Sequence, residues 1–289
     1  MKQCLRLAVV LLTAGMSTVA FGQDKFFDSQ GVRIRYIEQG AGEPVVLVHG
    51  YTATIERNWI VSGVFQQLAK NFRVIALDCR GHGKSDKPHD TKQYGQEMVL
   101  DIVRLLDHLK VQKAHIVGYS MGGIITAKLL TMKPERFLTA TLGGNGGLLA
   151  PTELEIKLFE QLAADMEKGS LRTLILALTP KDQPRPTEEQ IKQSDAIFLA
   201  GQDVAALAAV VRSNVDLAIS EAQVAAINVP TIAIIGTADP LIEGVNKLKK
   251  AMPKLKVITV ERATHVSAFG RPEFIEALQE FLKANSLKK

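Results

Sequence analysis

The chain has 289 residues, 46% of them hydrophobic, a formal net charge of +5 and two cysteines. That length supplies one large core, or a core with a small appended domain, and with no long Gln, Gly or Pro tract and no fixed-period repeat it excludes solenoids and disordered linkers. The charge is modest and its lysines are scattered. The one cluster, Lys247, Lys249, Lys250, Lys254 and Lys256, reads as a solvated helix face, so no nucleic-acid partner is expected.

The first residues, MKQCLRLAVVLLTAGMSTVAFGQ, place Lys2 and Arg6 around the start of an apolar run over 7–12 and end in small residues at Ala20 and Gly22. This is the form of a cleavable signal peptide over residues 1–22, too short to be a membrane span. Cys4 precedes the apolar run, which argues against a lipid-modified cysteine. The expectation is a secreted or periplasmic protein with no membrane span in its mature form. Cleavage removes two positive charges and leaves Cys79 alone, so no internal disulfide can form. No Cys/His cluster has metal-ligand spacing, and neither a metal nor another cofactor is expected.

Along the rest of the chain, short β-branched runs alternate with helical patterns. VRIRYIEQ, EPVVLVHG, FRVIALD and AHIVGYS read as strands ending near Gln39, Gly50, Asp78 and Ser120. Between them GVFQQLAKN and EMVLDIVRLLDHLK read as helices, the second with Met98, Ile102, Leu105, Leu106 and Leu109 on one face. LTATLGG, VPTIAIIG and KVITVE continue the strands, with GVNKLKKAM and PEFIEALQEFLKAN as helices. Fully apolar strands joined by amphipathic helices predict a parallel sheet covered on both faces, an α/β fold. The stretch 148–226 lacks a convincing strand and predicts several helices, with a capping box at Thr187-Glu188-Glu189-Gln190. It divides the mature chain into a core, 23–147 and 227–289, and a helical cap.

The stretch VGYSMGG sets one serine, Ser120, among glycines where a strand hands over to a helix. Ligands of an open parallel sheet bind beyond the carboxyl ends of its strands, and a tight strand-to-helix turn presents its side chain there. Gly118 and Gly122 are expected to be small because strand and helix backbones approach closely. A serine needs a base to take its proton and an acid to hold the base, in the chain order serine, acid, histidine. Of six histidines only His265 follows Ser120, in the loop ERATHVSAFG after a strand. Asp239, in IIGTADPLI, follows a strand terminus directly; Asp216 competes but falls in the helical stretch. The developing oxyanion is assigned to the main-chain N–H groups of Met121 and Tyr51, the second in the loop after an early strand. Asp78, ahead of Ser120 in the chain, is read as fastening its own turn, and Cys79 as structural.

HGY at 49–51, DCRGHGKSD at 78–86, GYSMGG at 118–123, GTADP at 236–240 and THV at 264–266 together resemble the α/β-hydrolase superfamily over most of the mature chain. The resemblance implies a mostly parallel eight-stranded sheet with an antiparallel first hairpin, a helical cap after the sixth strand, and a Ser120–Asp239–His265 triad. Haloalkane dehalogenases and epoxide hydrolases of the superfamily carry aspartate where Ser120 stands. Carbon–carbon bond hydrolases keep the serine, but typically have tryptophan after the histidine, where this chain has Val266. The lipase-type HGGG loop is absent. Gly40-Ala41-Gly42 precedes a strand, whereas a dinucleotide fingerprint must follow one. The expected activity is that of a serine carboxylesterase acting on a small-molecule ester. The alternatives are a lactonase, a carbon–carbon hydrolase holding an acid group with Arg172, Arg185 or Arg212, and a noncatalytic binding protein.

Overall fold

The computed structural model describes residues 22–287. The proposed signal peptide lies, but for Gly22, outside the described residues. Eight strands form one sheet: β1 (Lys25–Ser29), β2 (Val32–Gln39), β3 (Pro44–Val48), β4 (Arg73–Leu77), β5 (Ala114–Tyr119), β6 (Phe137–Gly143), β7 (Thr231–Gly236) and β8 (Lys256–Val260). Their spatial order is β1-β2-β4-β3-β5-β6-β7-β8. The β1–β2 and β2–β4 pairs are antiparallel and every other pair is parallel. β1, KFFDS, is the strand that the hydrophobic pattern did not resolve on its own. It is five residues long and only Phe27 and Ser29 are buried, so its period-2 signal is short.

Helices cover both faces of the sheet because the central strands are apolar on both. In β3, Val46 and Val48 pack into one cluster while Val45 and Leu47 pack into the other. The first cluster is closed by α2 (Gln96–His108), α3 (Met121–Met132) and α9 (Ile242–Ala251). The second is closed by α1 (Val64–Ala69) and α10 (Pro272–Ala284), whose Phe274, Leu278 and Leu282 recur at helical spacing and are fully buried. Each such side chain stabilises the fold by about 1.5–3 kcal/mol through burial.

Between β6 and β7 the chain leaves the sheet and forms α4 (Glu153–Glu167), α5 (Arg172–Leu178), α6 (Glu188–Phe198), α7 (Val204–Arg212) and α8 (Glu221–Ala225). Capping boxes start α6 at Thr187 and also α4 at Thr152 and α8 at Ser220, where the side-chain oxygen accepts from the third helical N–H. Leu162, Ala163, Met166, Leu207, Ala208 and Val211 form a small core of their own between α4 and α7. The helix α7 passes over the carboxyl ends of β3 and β4, where Tyr51 donates to Leu207 O and Gly81 lies close to the Val210 side chain. Among the described residues no helix is long and apolar enough to cross a membrane, and no group of His, Cys, Asp or Glu has the arrangement of a metal site.

Candidate active site

Ser120 sits between β5 and α3 with φ 54° and ψ −113°, a region that L-residues avoid. The turn is held by backbone hydrogen bonds, Ser120 N–H to Gly143 O at 2.8 Å and Gly123 N–H to Ser120 O at 2.9 Å. A side chain at position 118 would overlap Gly122 O, and one at position 122 would overlap Val48 O. Both positions therefore exclude a Cβ. Gly123 differs: its nearest neighbours, Asn145 Cβ and O, are 3.4 Å from where a Cβ would stand.

His265 reaches this turn from the loop after β8, and its Nε2 lies 2.8 Å from Ser120 Oγ. Its Nδ1 lies 2.8 Å from Asp239 Oδ2. A carboxylate can only accept, so Nδ1 carries the proton and Nε2 accepts from the serine hydroxyl. The other oxygen, Asp239 Oδ1, accepts the Leu241 N–H at 2.9 Å, and the aspartate is 1% exposed. The turns that carry acid and base are joined by Ala238 N–H to Ala263 O at 3.1 Å. Tyr119 Oη donates to His265 O at 2.5 Å, and its ring lies against the imidazole. Asp216 is placed elsewhere, exposed beside Gly95 in the short 3-10 turn Ser213–Leu217.

The loop after β3 completes the arrangement from the opposite side. A Cβ on Gly50 would stand 3.2 Å from Ser120 Cβ, so this loop adjoins the serine directly. Gly50 is held at both of its backbone polar groups: its N–H donates to Asn58 Oδ1 at 2.9 Å, and its carbonyl accepts from His49 Nδ1–H at 2.8 Å. His49 Nε2 in turn accepts the Cys79 N–H at 3.0 Å, which selects the same neutral tautomer. Burial holds the His49 imidazole below its ordinary value, and pushes His82, edge-on to both His49 and Tyr51, down to about 3. Met121 is the first residue of α3, so its N–H lacks an intrahelical partner and points with the helix dipole toward the serine end. Asp78 is fully buried and accepts from Ile55 N–H, Lys84 N–H and Arg35 Nη1, which fastens the DCRGHGKSD turn to the loop after β3. Cys79 is buried and its thiol is pushed up by desolvation, the state of a packed rather than a reactive cysteine.

Asn58 and Tyr119 went unnoticed in the sequence. Asn58 lies in a single π-helical turn, Glu56–Ile60, closed by Val61 N–H to Glu56 O, and no residue spacing announces such a turn. A cavity of about 1010 Å³ opens at the amino ends of the strands between Glu43, Arg73, Lys110 and Arg136. It is remote from Ser120 and lined by solvated charges, so the chemistry is not there. A groove of about 640 Å³ between Pro180, Gln183, Asp239 and Arg262 runs on the outer side of the aspartate turn.

An eight-stranded, mostly parallel sheet with a serine at a strained strand-to-helix turn defines the α/β hydrolase fold. Residues 43–190, about half of the chain, match the family model for that fold, and the protein belongs to the α/β hydrolase family. It is 33% identical over 190 residues to a 2-hydroxy-6-oxo-6-phenylhexa-2,4-dienoate hydrolase of Comamonas testosteroni, covering 63% of this chain and 65% of the relative. To a 3-oxoadipate enol-lactonase of Acinetobacter baylyi it is 26% identical over 222 residues, 75% of this chain and 81% of the relative. The chain spans about a third of the length, 31%, of the first curated relatives it matches. A solved hydrolase from Pseudomonas aeruginosa superposes with a TM-score of 0.72 at 24% identity over 90% of this chain and 98% of that one, a likeness of fold.

Proposed function

We propose that the protein is an exported serine hydrolase that cleaves carboxylic esters of small to medium acyl chain. The observation that carries the reading is the continuous line Ser120–His265–Asp239, with both links at 2.8 Å. Ser120 Oγ attacks the ester carbonyl as His265 Nε2 takes its proton, and the tetrahedral oxyanion is received by the N–H groups of Met121 and Tyr51. Collapse expels the alcohol, which takes the proton from Nε2. Water, deprotonated by the same nitrogen, then opens the acyl-enzyme to the free acid. Asp239 keeps the proton on Nδ1 and stabilises the imidazolium without taking the proton itself.

Lactone opening uses the same steps, and the similarity to an enol-lactonase keeps it within the proposal. Carbon–carbon cleavage is the second reading, favoured by the similarity to a dienoate hydrolase. Against it stand the three cap arginines that an acidic substrate would need. Arg172 pairs with Glu188, Arg212 with Glu160 and Glu167, and Arg185 is exposed, so each serves the outer surface. The test is a p-nitrophenyl ester series beside a panel of vinylogous diketones on one preparation. Ester turnover should be best at acyl chains of about two to eight carbons and should vanish in Ser120→Ala. Diketone turnover at least about a hundredfold better than any ester would give the carbon–carbon reading instead. Export is part of the proposal, and sequencing of the native amino terminus should begin at or beside Gln23.

A further inference from the structure

The oxyanion loop is gripped by the cap. Two hydrogen bonds join it to α7 and to the segment that leads into that helix, and they flank the very peptide that is assigned as an oxyanion donor. Tyr51 Oη donates to Leu207 O at 2.9 Å, and Gln202 Nε2 donates to Thr52 O at 3.0 Å. Thr52 is a buried, non-glycine residue with φ 59°, a backbone state that persists only where the surroundings over-determine it. From below, Asn58 Oδ1 already fixes Gly50 N–H. His49 Nδ1–H holds Gly50 O, the carbonyl of the Tyr51 peptide, so that peptide is suspended between these two anchors in the core and two in the cap.

We propose that Gln202, with the Tyr51 hydroxyl, is a positioning residue for the oxyanion hole: the cap, fastened through these two side chains, holds the Tyr51 N–H where the tetrahedral intermediate needs it. The inference rests on the ester-hydrolase reading above and extends it from the core triad to the cap. Without Gln202, Thr52 O loses its cap partner and the strained residue can relax, carrying the preceding N–H away from Ser120. A displacement of about 1 Å at such a donor costs up to about a hundredfold in rate. The third link between this region and the cap, Arg57 Nη1 to Phe198 O at 3.0 Å, joins exposed groups and acts on the π-helical turn, five residues beyond Thr52. It serves as the control.

The experiment compares Gln202→Ala, Gln202→Glu, Tyr51→Phe and Arg57→Ala with the wild type. The substrate is p-nitrophenyl butyrate, and the inhibitor is butylboronic acid, whose serine adduct carries a tetrahedral boronate oxygen in the place of the oxyanion. Gln202→Glu keeps the length of the side chain and removes its donor. Gln202→Ala, Gln202→Glu and Tyr51→Phe should each lower kcat by about 10- to 50-fold, move KM by less than about threefold, and weaken butylboronic acid by the same factor as kcat. Arg57→Ala should stay within about twofold of wild type in all three readouts. Loss confined to KM, boronate affinity unchanged in the Gln202 variants, or an equal loss in Arg57→Ala would each overturn the proposal. If the wild type itself neither hydrolyses the ester nor binds the boronate, the ester-hydrolase reading fails and the positioning role falls with it. Wild-type turnover with fully active variants removes the positioning role alone.

Discussion

Replacing Asp239 by asparagine should do more than remove a charge, because the structure dictates how the amide would sit. Asp239 Oδ1 accepts the Leu241 N–H at 2.9 Å, and Oδ2 faces His265 Nδ1 at 2.8 Å. An asparagine keeps the first bond only with its oxygen toward Leu241, so its NH2 group is turned on the imidazole. Nδ1 must then accept, the ring proton moves to Nε2, and the nitrogen beside Ser120 Oγ can no longer take the serine proton. The wrong tautomer should lower kcat/KM by about 10³- to 10⁴-fold, equivalent to about 4–5.5 kcal/mol of transition-state stabilisation. Because the two side chains have nearly the same shape, the melting temperature should change little. The assay is steady-state hydrolysis of p-nitrophenyl butyrate with thermal melts of both proteins. A loss of less than about tenfold in a folded Asp239→Asn protein would refute the argument that this carboxylate sets the tautomer.

Other expectations follow from particular contacts. A Cβ at position 122 overlaps the Val48 carbonyl, so Gly122→Ala should destabilise the fold by about 1–3 kcal/mol or more, whereas Gly123→Ala, in ordinary contact and within α3, should be neutral or gain up to about 1 kcal/mol; urea titrations of the pair check this. Burial pushes His82 down to about 3 from an ordinary 6.5, so between those values the unfolded chain binds the proton that the folded one refuses. Stability therefore rises with pH through that window, and acidification from about pH 7 to 5 should cost about 2 kcal/mol at His82 alone. His82→Gln should flatten the pH dependence of the unfolding free energy from urea titrations by that amount, and identical slopes would contradict it. Native Cys79 should react with Ellman's reagent only on unfolding, since the thiol is buried and its pKa is raised.

How much of this was legible beforehand depended on the range of the interaction. Strand ends and helix starts are local, so Ser120, Asp239 and His265 could be placed on one end of the sheet from runs of Val and Ile and the turns that follow them. The need for Gly118 and Gly122 followed from backbone crowding at the turn, but Gly123 shares their motif without sharing their reason. The strand β1 was hidden by brevity, and its antiparallel pairing with β2 came from family resemblance rather than from its residues. The contacts that were missed are long-range. Tyr119 reaches the carbonyl of His265, Asn58 reaches Gly50 from a π-helical turn, and Gln202 reaches Thr52 across 150 residues of chain. No periodicity encodes such pairs. The arginines at 172, 185 and 212 show the converse limit, since their charge suggested holders for an anionic substrate, but Arg172 and Arg212 pair with surface glutamates and Arg185 is exposed.

The central claim is that Ser120, activated by His265, is the nucleophile of an ester hydrolase. A fluorophosphonate reacts covalently with an activated serine, so labelling followed by peptide mapping reads nucleophile, base and accessibility together. The modified peptide should be the one containing Val117-Gly118-Tyr119-Ser120-Met121, with the adduct on Ser120, loss of esterase activity in proportion to labelling, and no labelling in His265→Ala. A preparation that hydrolyses esters while Ser120 stays unmodified, or that is labelled equally well without His265, would contradict it.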